Sequence, residues 1–83
     1  MRKEKQMNKQ RRKELKRAMD LLTEAHSIIE DVKEAEWAAY DNMSEGQKTS
    51  ERGERIVEDA DRLDGISSEI EYQTSELEDV ING

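Results

Sequence analysis

From residue 15 onward, apolar side chains return every three or four positions. Leu15, Ala18, Leu22, Ala25, Ile29, Val32, Ala39 and Met43 form the first series, with Met19, His26 and Tyr40 along the same stripe and Trp37 at its edge. A period of 3.6 residues puts such positions on one side of an α-helix, whereas a half-buried strand would alternate every second residue. Ala, Leu, Glu, Lys and Arg dominate the segment, and these residues lose little on entering a helix. The pattern predicts a first helix over about 8–43. The series then breaks at Asp41-Asn42-Met43-Ser44-Glu45-Gly46-Gln47-Lys48-Thr49-Ser50. Asn, Ser and Gly favour turns and Gly46 can supply a positive φ, so 44–50 reads as the turn. Ser50 is the predicted N-cap of a second helix, with Glu51 at the positive end of its dipole.

Ile56, Ala60, Leu63, Ile66, Ile70, Leu77, Val80 and Ile81 mark the second stripe, over about 51–81. Ile56, Leu63, Ile70 and Leu77 are each seven apart, which is a coiled-coil spacing. Gly65 weakens this helix by about 1 kcal/mol relative to Ala. Asn82-Gly83 is the predicted stop. The expected fold is all-α: an antiparallel two-helix hairpin, coiled-coil-like, over 8–83. A turn centred near residue 48 pairs positions whose numbers add to about 96, so that Ile56 meets Tyr40 and Leu77 meets Met19. Residues 1–13 then have nothing opposite them, and 1–7 read as a basic flexible tail. A two-helix hairpin covers only one side of each helix. Dimerisation into a four-helix bundle, or docking on a partner, would cover the rest.

Composition narrows the function. At 83 residues the chain holds one domain, and 42% charged against 33% hydrophobic supports a thin packing layer rather than a thick core. Zero Cys excludes a disulfide framework and a Cys-based zinc site. No apolar run approaches the roughly 20 residues that span a bilayer, and the basic N-terminus has no apolar stretch behind it. No membrane association and a cytoplasmic location are therefore expected. The net charge of −7 hides a split, because residues 2–17 carry +7 and the remainder −14. Such poles attract opposite partners and steer association.

Catalytic constellations are absent from this reading. His26 and Glu30 stand at i,i+4 as two metal ligands would, but no third ligand accompanies them. Asp59, Asp61 and Asp64 precede Gly65 in a calcium-loop manner, yet the loop needs Gly at position six and Glu at twelve, and Gly65 and Ile70 fall at seven and twelve. No enzyme activity, metal or cofactor is expected. Glu36 and Asp59 interrupt the apolar stripes, with Lys33 expected within reach of both as a register-setting ion pair. The basic head, Lys9, Arg11, Arg12, Lys13, Lys16 and Arg17, can bind phosphates, but no aromatic is interleaved for base stacking. Glu54, Glu58, Asp61, Glu69, Glu76 and Asp79 line the outer face of the second helix, where carboxylates on a rod can compete with nucleic acid for a basic groove. Trp37, Tyr40, Met43 and Val57, near the turn, are the candidate anchors for a protein partner.

Met7-Asn8-Lys9-Gln10-Arg11-Arg12-Lys13-Glu14-Leu15, Ala39-Tyr40-Asp41-Asn42-Met43, Glu45-Gly46-Gln47 and Ser50-Glu51-Arg52-Gly53-Glu54 resemble blocks of a family of small helical-hairpin proteins. These occur in Firmicute bacteria and in their phages and prophages. The resemblance runs over residues 7–81, with Ser44 where many relatives carry Pro and Met7 where the family starts, so that residues 1–6 read as an extension. It implies a helical hairpin and a phage setting, and it implies no activity. Three function classes follow. The first is an anti-CRISPR-like phage protein that inhibits or modulates a host nucleic-acid-handling effector, such as a ribonucleoprotein nuclease, by stoichiometric binding. The second is a nucleic-acid-associated accessory or structural protein acting through its basic head. The third is an antitoxin-like module that neutralises a basic toxin. The first is the expectation taken forward.

Overall fold

The computed structural model describes residues 8–83, and the proposed tail over 1–7 lies outside them. Two long helices, α1 (Lys9–Asp41) and α3 (Glu51–Asn82), are joined through a single helical turn, α2 (Glu45–Lys48). At 1.5 Å per residue each long helix is about 50 Å long. The fold is all-helical, with a long extended helix pair.

Three side-chain caps set the boundaries. Asn8 opens α1 by accepting a hydrogen bond from the Arg11 N–H at 2.8 Å. Ser44 opens α2 in a reciprocal capping box, accepting from the Gln47 N–H while the Gln47 side chain accepts from the Ser44 N–H. Ser50 opens α3, accepting from the Gly53 N–H. Each of these residues is extended, so the backbone changes direction at Ser44 and again at Ser50. Within the expected turn over 44–50, capping chemistry organises a short helix between two corners. Gly46 does not provide a positive φ, since no described residue has one.

The glycine that matters is Gly53, which is buried in the first turn of α3. A Cβ there would lie 2.5 Å from the Gln47 carbonyl oxygen and as close to that of Lys48. The end of α2 thus rests directly on the α3 backbone. Gly65 is the opposite case, because an added Cβ would meet nothing within 4 Å.

Across the pair, Lys33 reaches Asp64, Ser67 reaches Glu30 and His26 faces Glu71. The numbers in each couple add to 97, one more than expected, and the constant value means that α1 and α3 run in opposite directions. Ile81 accordingly lies at the level of Lys16, and Lys9, Arg12, Lys13 and Lys16 share a concavity with Ile81 and Asn82. By the same register Gly83 lies at the level of Glu14, so α1 runs past the end of α3 over residues 9–13, and the concavity forms where α3 stops.

The column Ile56, Leu63, Ile70 and Leu77 faces α1, with Ile56 buried and the other three half-buried. A second column accompanies it, also seven residues apart: Gly53, Ala60, Ser67, Thr74 and Ile81, all buried but the half-buried Thr74. Ala60 is fully covered. Small residues along this line allow the helices to approach closely. On α1, Leu15, Leu22, Ile29 and Glu36 repeat every seven residues and are half-buried, as are Met19, His26, Lys33 and Tyr40 and, just past the helix, Met43. Half of the α1 seam is therefore polar or long and flexible.

Candidate functional site

The middle of the pair is held by a polar layer. Lys33 Nζ lies 2.8 Å from Asp64 Oδ1 and 3.1 Å from Glu30 Oε2. Ser67, buried on α3, donates its hydroxyl to the same Glu30 oxygen at 2.5 Å. The Ser67 bond, and then Lys33, hold the Glu30 carboxyl below its usual range, while Asp64, and then Glu30, hold the Lys33 ammonium above its own. This corrects the expected ion pair of Lys33 with Glu36 and Asp59. Those two carboxylates line a groove with Val32, Arg62, Leu63 and Ile66. The observed layer fixes the register instead, because Ser67 and Lys33 can meet Glu30 and Asp64 in one alignment only.

His26 is half-buried with its Nε2 3.6 Å from Glu71 Oε2. Among the described residues no group of three or more His, Asp or Glu side chains is placed to hold a metal ion. Asp59, Asp61 and Asp64 sit within continuous helix. No helix among the described residues is long and apolar enough to cross a membrane.

The proposed acidic face is fully presented. Glu54, Glu58, Asp61, Glu69, Glu76 and Asp79 are all exposed, and helical spacing puts them on the arc of α3 opposite the Ala60–Ser67 column. In the basic head, Lys9, Arg11, Lys13, Lys16 and Arg17 are exposed and Arg12 half-buried. This end of α1 has no acidic residue in its first turn, and α3 has no basic residue in its last. Each helix thus carries the charges that its own dipole disfavours. Lys9, Arg12, Lys13 and Lys16 of the head share a concavity with Ile81 and Asn82 at the negative end of α3.

The four candidate anchors, Trp37, Tyr40, Met43 and Val57, are all half-buried. Trp37 and Tyr40 meet edge to face with ring centroids 5.9 Å apart, and Lys48 Nζ lies 5.4 Å from the Tyr40 centroid. These rings cap the turn end and steady α2, so a partner would find them already engaged.

The two broad sides of the pair differ. One presents Thr23, His26, Glu71, Ser75 and Glu78. The other presents Val32 beside Ile66, in line with exposed Leu21 and Ile28 on α1 and Val80 on α3. The α1 residues belong to an unbroken apolar series, Ala18, Leu21, Ala25, Ile28, Val32, Ala35 and Ala39, at alternating spacings of three and four. What reads in the sequence as one stripe on α1 is therefore two seams, and the seam facing away from α3 is the more apolar.

The chain matches no known protein family, no curated protein and no solved structure.

Proposed function

We propose that this protein acts by stoichiometric binding, as an inhibitor or modulator of a nucleic-acid-handling effector, with the helix pair closed into a hairpin that serves as a rigid acidic rod. The observation that carries the reading is the charge density of α3. Six exposed carboxylates, Glu54, Glu58, Asp61, Glu69, Glu76 and Asp79, lie on the outer arc of α3, one per about 6.5 Å of helix, against one phosphate per about 3.4 Å along a nucleic-acid strand. The rod therefore offers a Lys/Arg-lined channel a row of negative charge about half as dense as the strand that the channel normally holds. The exposed outer-face carboxylates make the contact, and the basic head meets an acidic patch or a bound guide strand. The resemblance of the sequence blocks to phage-borne proteins of bacteria accords with this role. Charge raises the association rate and selects the partner.

The test is competition. An effector captured from bacterial lysate, stripped of nucleic acid, is loaded with labelled DNA or RNA, and the protein is titrated in. Displacement by the native chain, lost when Glu54, Glu58, Asp61 and Glu69 become Gln, supports the reading. Equal displacement by both chains refutes it. The four head cations around Ile81 and Asn82 favour one second reading, in which the protein itself associates with nucleic acid. Tight binding to the free labelled strand would support that reading.

A further inference from the structure

Where α3 stops, the inward face of α1 changes character. Leu15, Met19, Leu22 and Ile29 face α3, but the next position outward on that face is Arg12, half-buried at the concavity with Ile81 and Asn82. Lys9, Lys13 and Lys16 complete the lining. An apolar residue at position 12 would invite a further helix, whereas a cation there invites an anion. We infer that this concavity is a phosphate-backbone site, taking three or four consecutive phosphates of a nucleic-acid strand without reading its bases. The inference deepens, and rests on, the reading in which the basic head meets a bound strand.

The four cations share one side of α1. Spacings of three, one and three residues put them on an arc of about 100°, over about 10 Å of rise. Arg11 and Arg17 fall outside that arc. Glu14, the one carboxylate between Asn8 and Met19, lies nearly opposite it and accepts a hydrogen bond from Gln10 at 3.2 Å. Among the described residues the ion pairs belong to His26, Lys33 and Lys48, and none draws on these four cations. The end of α3 sets only about half a negative charge against them. Toward the middle of the rod the same side turns acidic, with Asp20 one turn beyond Lys16 and then Glu71 and Glu78. A strand that followed the rod would meet these carboxylates, so the contact is confined to the tip. Density separates phosphate from carboxylate. The cations average about 3.5 Å of rise apart, close to the roughly 3.4 Å between phosphates of one strand. Carboxylates on one face of an extended peptide recur about every 6–7 Å and would leave half of the cations unmatched. A helix would match only by crowding four carboxylates into two turns against their own repulsion. No aromatic lines the concavity, so bases have nothing to stack on.

The test uses no effector, so it can fail while inhibition stands. The full chain, isotope-labelled, is titrated with a ten-nucleotide oligothymidylate and followed by NMR at about 50, 100 and 200 mM salt. Resonances of residues 9–16, 81 and 82 should shift, with a dissociation constant of about 0.1 mM at physiological salt, the weak end of non-specific binding. Each phosphate of a single strand adds about 0.7 to the slope of log affinity against log salt. Arg12→Gln with Lys16→Gln should thus make the slope shallower by about 1.4. Arg11→Gln with Arg17→Gln, equal in charge but outside the concavity, should leave it unchanged. Equal losses in the two variants overturn the site. A ten-residue polyglutamate peptide that shifts the same resonances at the same concentration also overturns it, and assigns the concavity to an acidic protein surface. Where circular dichroism shows that Arg12→Gln fails to fold, the native chain decides: shifts confined to the concavity with the strand and absent with polyglutamate support the site, and no shifts at millimolar strand refute it.

Discussion

The same substitution, Gly to Ala, should have opposite effects at two positions of α3. In an exposed helix interior the change stabilises by about 1 kcal/mol, because Ala surrenders less backbone freedom. Gly65 meets that condition, with no atom within 4 Å of an added Cβ. At Gly53 the same gain is opposed by contact. The Cβ would stand 2.5 Å from the Gln47 carbonyl oxygen, where ordinary contact begins at 3.4 Å. The end of α2 would have to retreat by roughly 1 Å, at an overpacking cost of about 1–3 kcal/mol. The retreat also strains the Ser50 cap, worth about 1 kcal/mol. The balance at Gly53 is a net loss of about 2 kcal/mol. For a domain of this size each kcal/mol moves Tm by about 4–8 °C, so Gly65→Ala should raise Tm by that amount and Gly53→Ala should lower it by about 8–16 °C. Thermal unfolding followed by circular dichroism, at one fixed protein concentration, measures both. A Gly53→Ala chain as stable as the native one would mean that α2 does not rest on α3, and the account of the turn would fail.

Three other outcomes follow. The depressed Glu30 carboxyl contributes stability that is present above the ordinary carboxylate range and lost as pH falls through its lowered value. Glu30→Gln should therefore destabilise at neutral pH and shrink the acid-induced drop in Tm, and an unchanged acid limb would remove Glu30 from the account. The raised Lys33 ammonium works at the other end. Its stability is fully present below the ordinary lysine range and is lost as pH climbs through its raised value, so Lys33→Met should flatten the alkaline limb of the same titration. Changing Arg11, Arg12, Lys13 and Arg17 to Ala should weaken effector binding and make its salt dependence shallower, since fewer charges are paired. The same affinity and slope would show that the head serves only the end of α3.

Large apolar residues made the helices legible. Ile56, Leu63, Ile70 and Leu77 announce α3 by their heptad spacing, and Ser50 announces its start. The companion column of Gly53, Ala60, Ser67, Thr74 and Ile81 escapes a hydrophobic reading, because four of its five members are small or polar and their burial follows from the closeness of the two helices. Gly53 looks like any turn glycine until the carbonyls of α2 are placed against it. On α1 the seam toward α3 and the outward seam lie side by side on the helix, so periodicity alone merges them. Leu21 and Ile28 separate them only once α3 has taken its position. The partners of Lys33 depend on a register difference of a single residue, which the turn sequence cannot supply, because Ser44 builds an extra helical turn in place of a simple loop. The exposed acidic arc needs no partner inside the fold and was readable from spacing alone.

The most direct measurement of the central proposal is a paired titration. The protein is added to the nuclease reaction of a captured bacterial effector, and separately to labelled DNA and RNA with no effector present. Stoichiometric binding predicts inhibition that saturates at a fixed molar ratio, with little binding to the free strands. Tight binding to bare DNA or RNA, with the effector's rate unchanged at saturating protein, would contradict it.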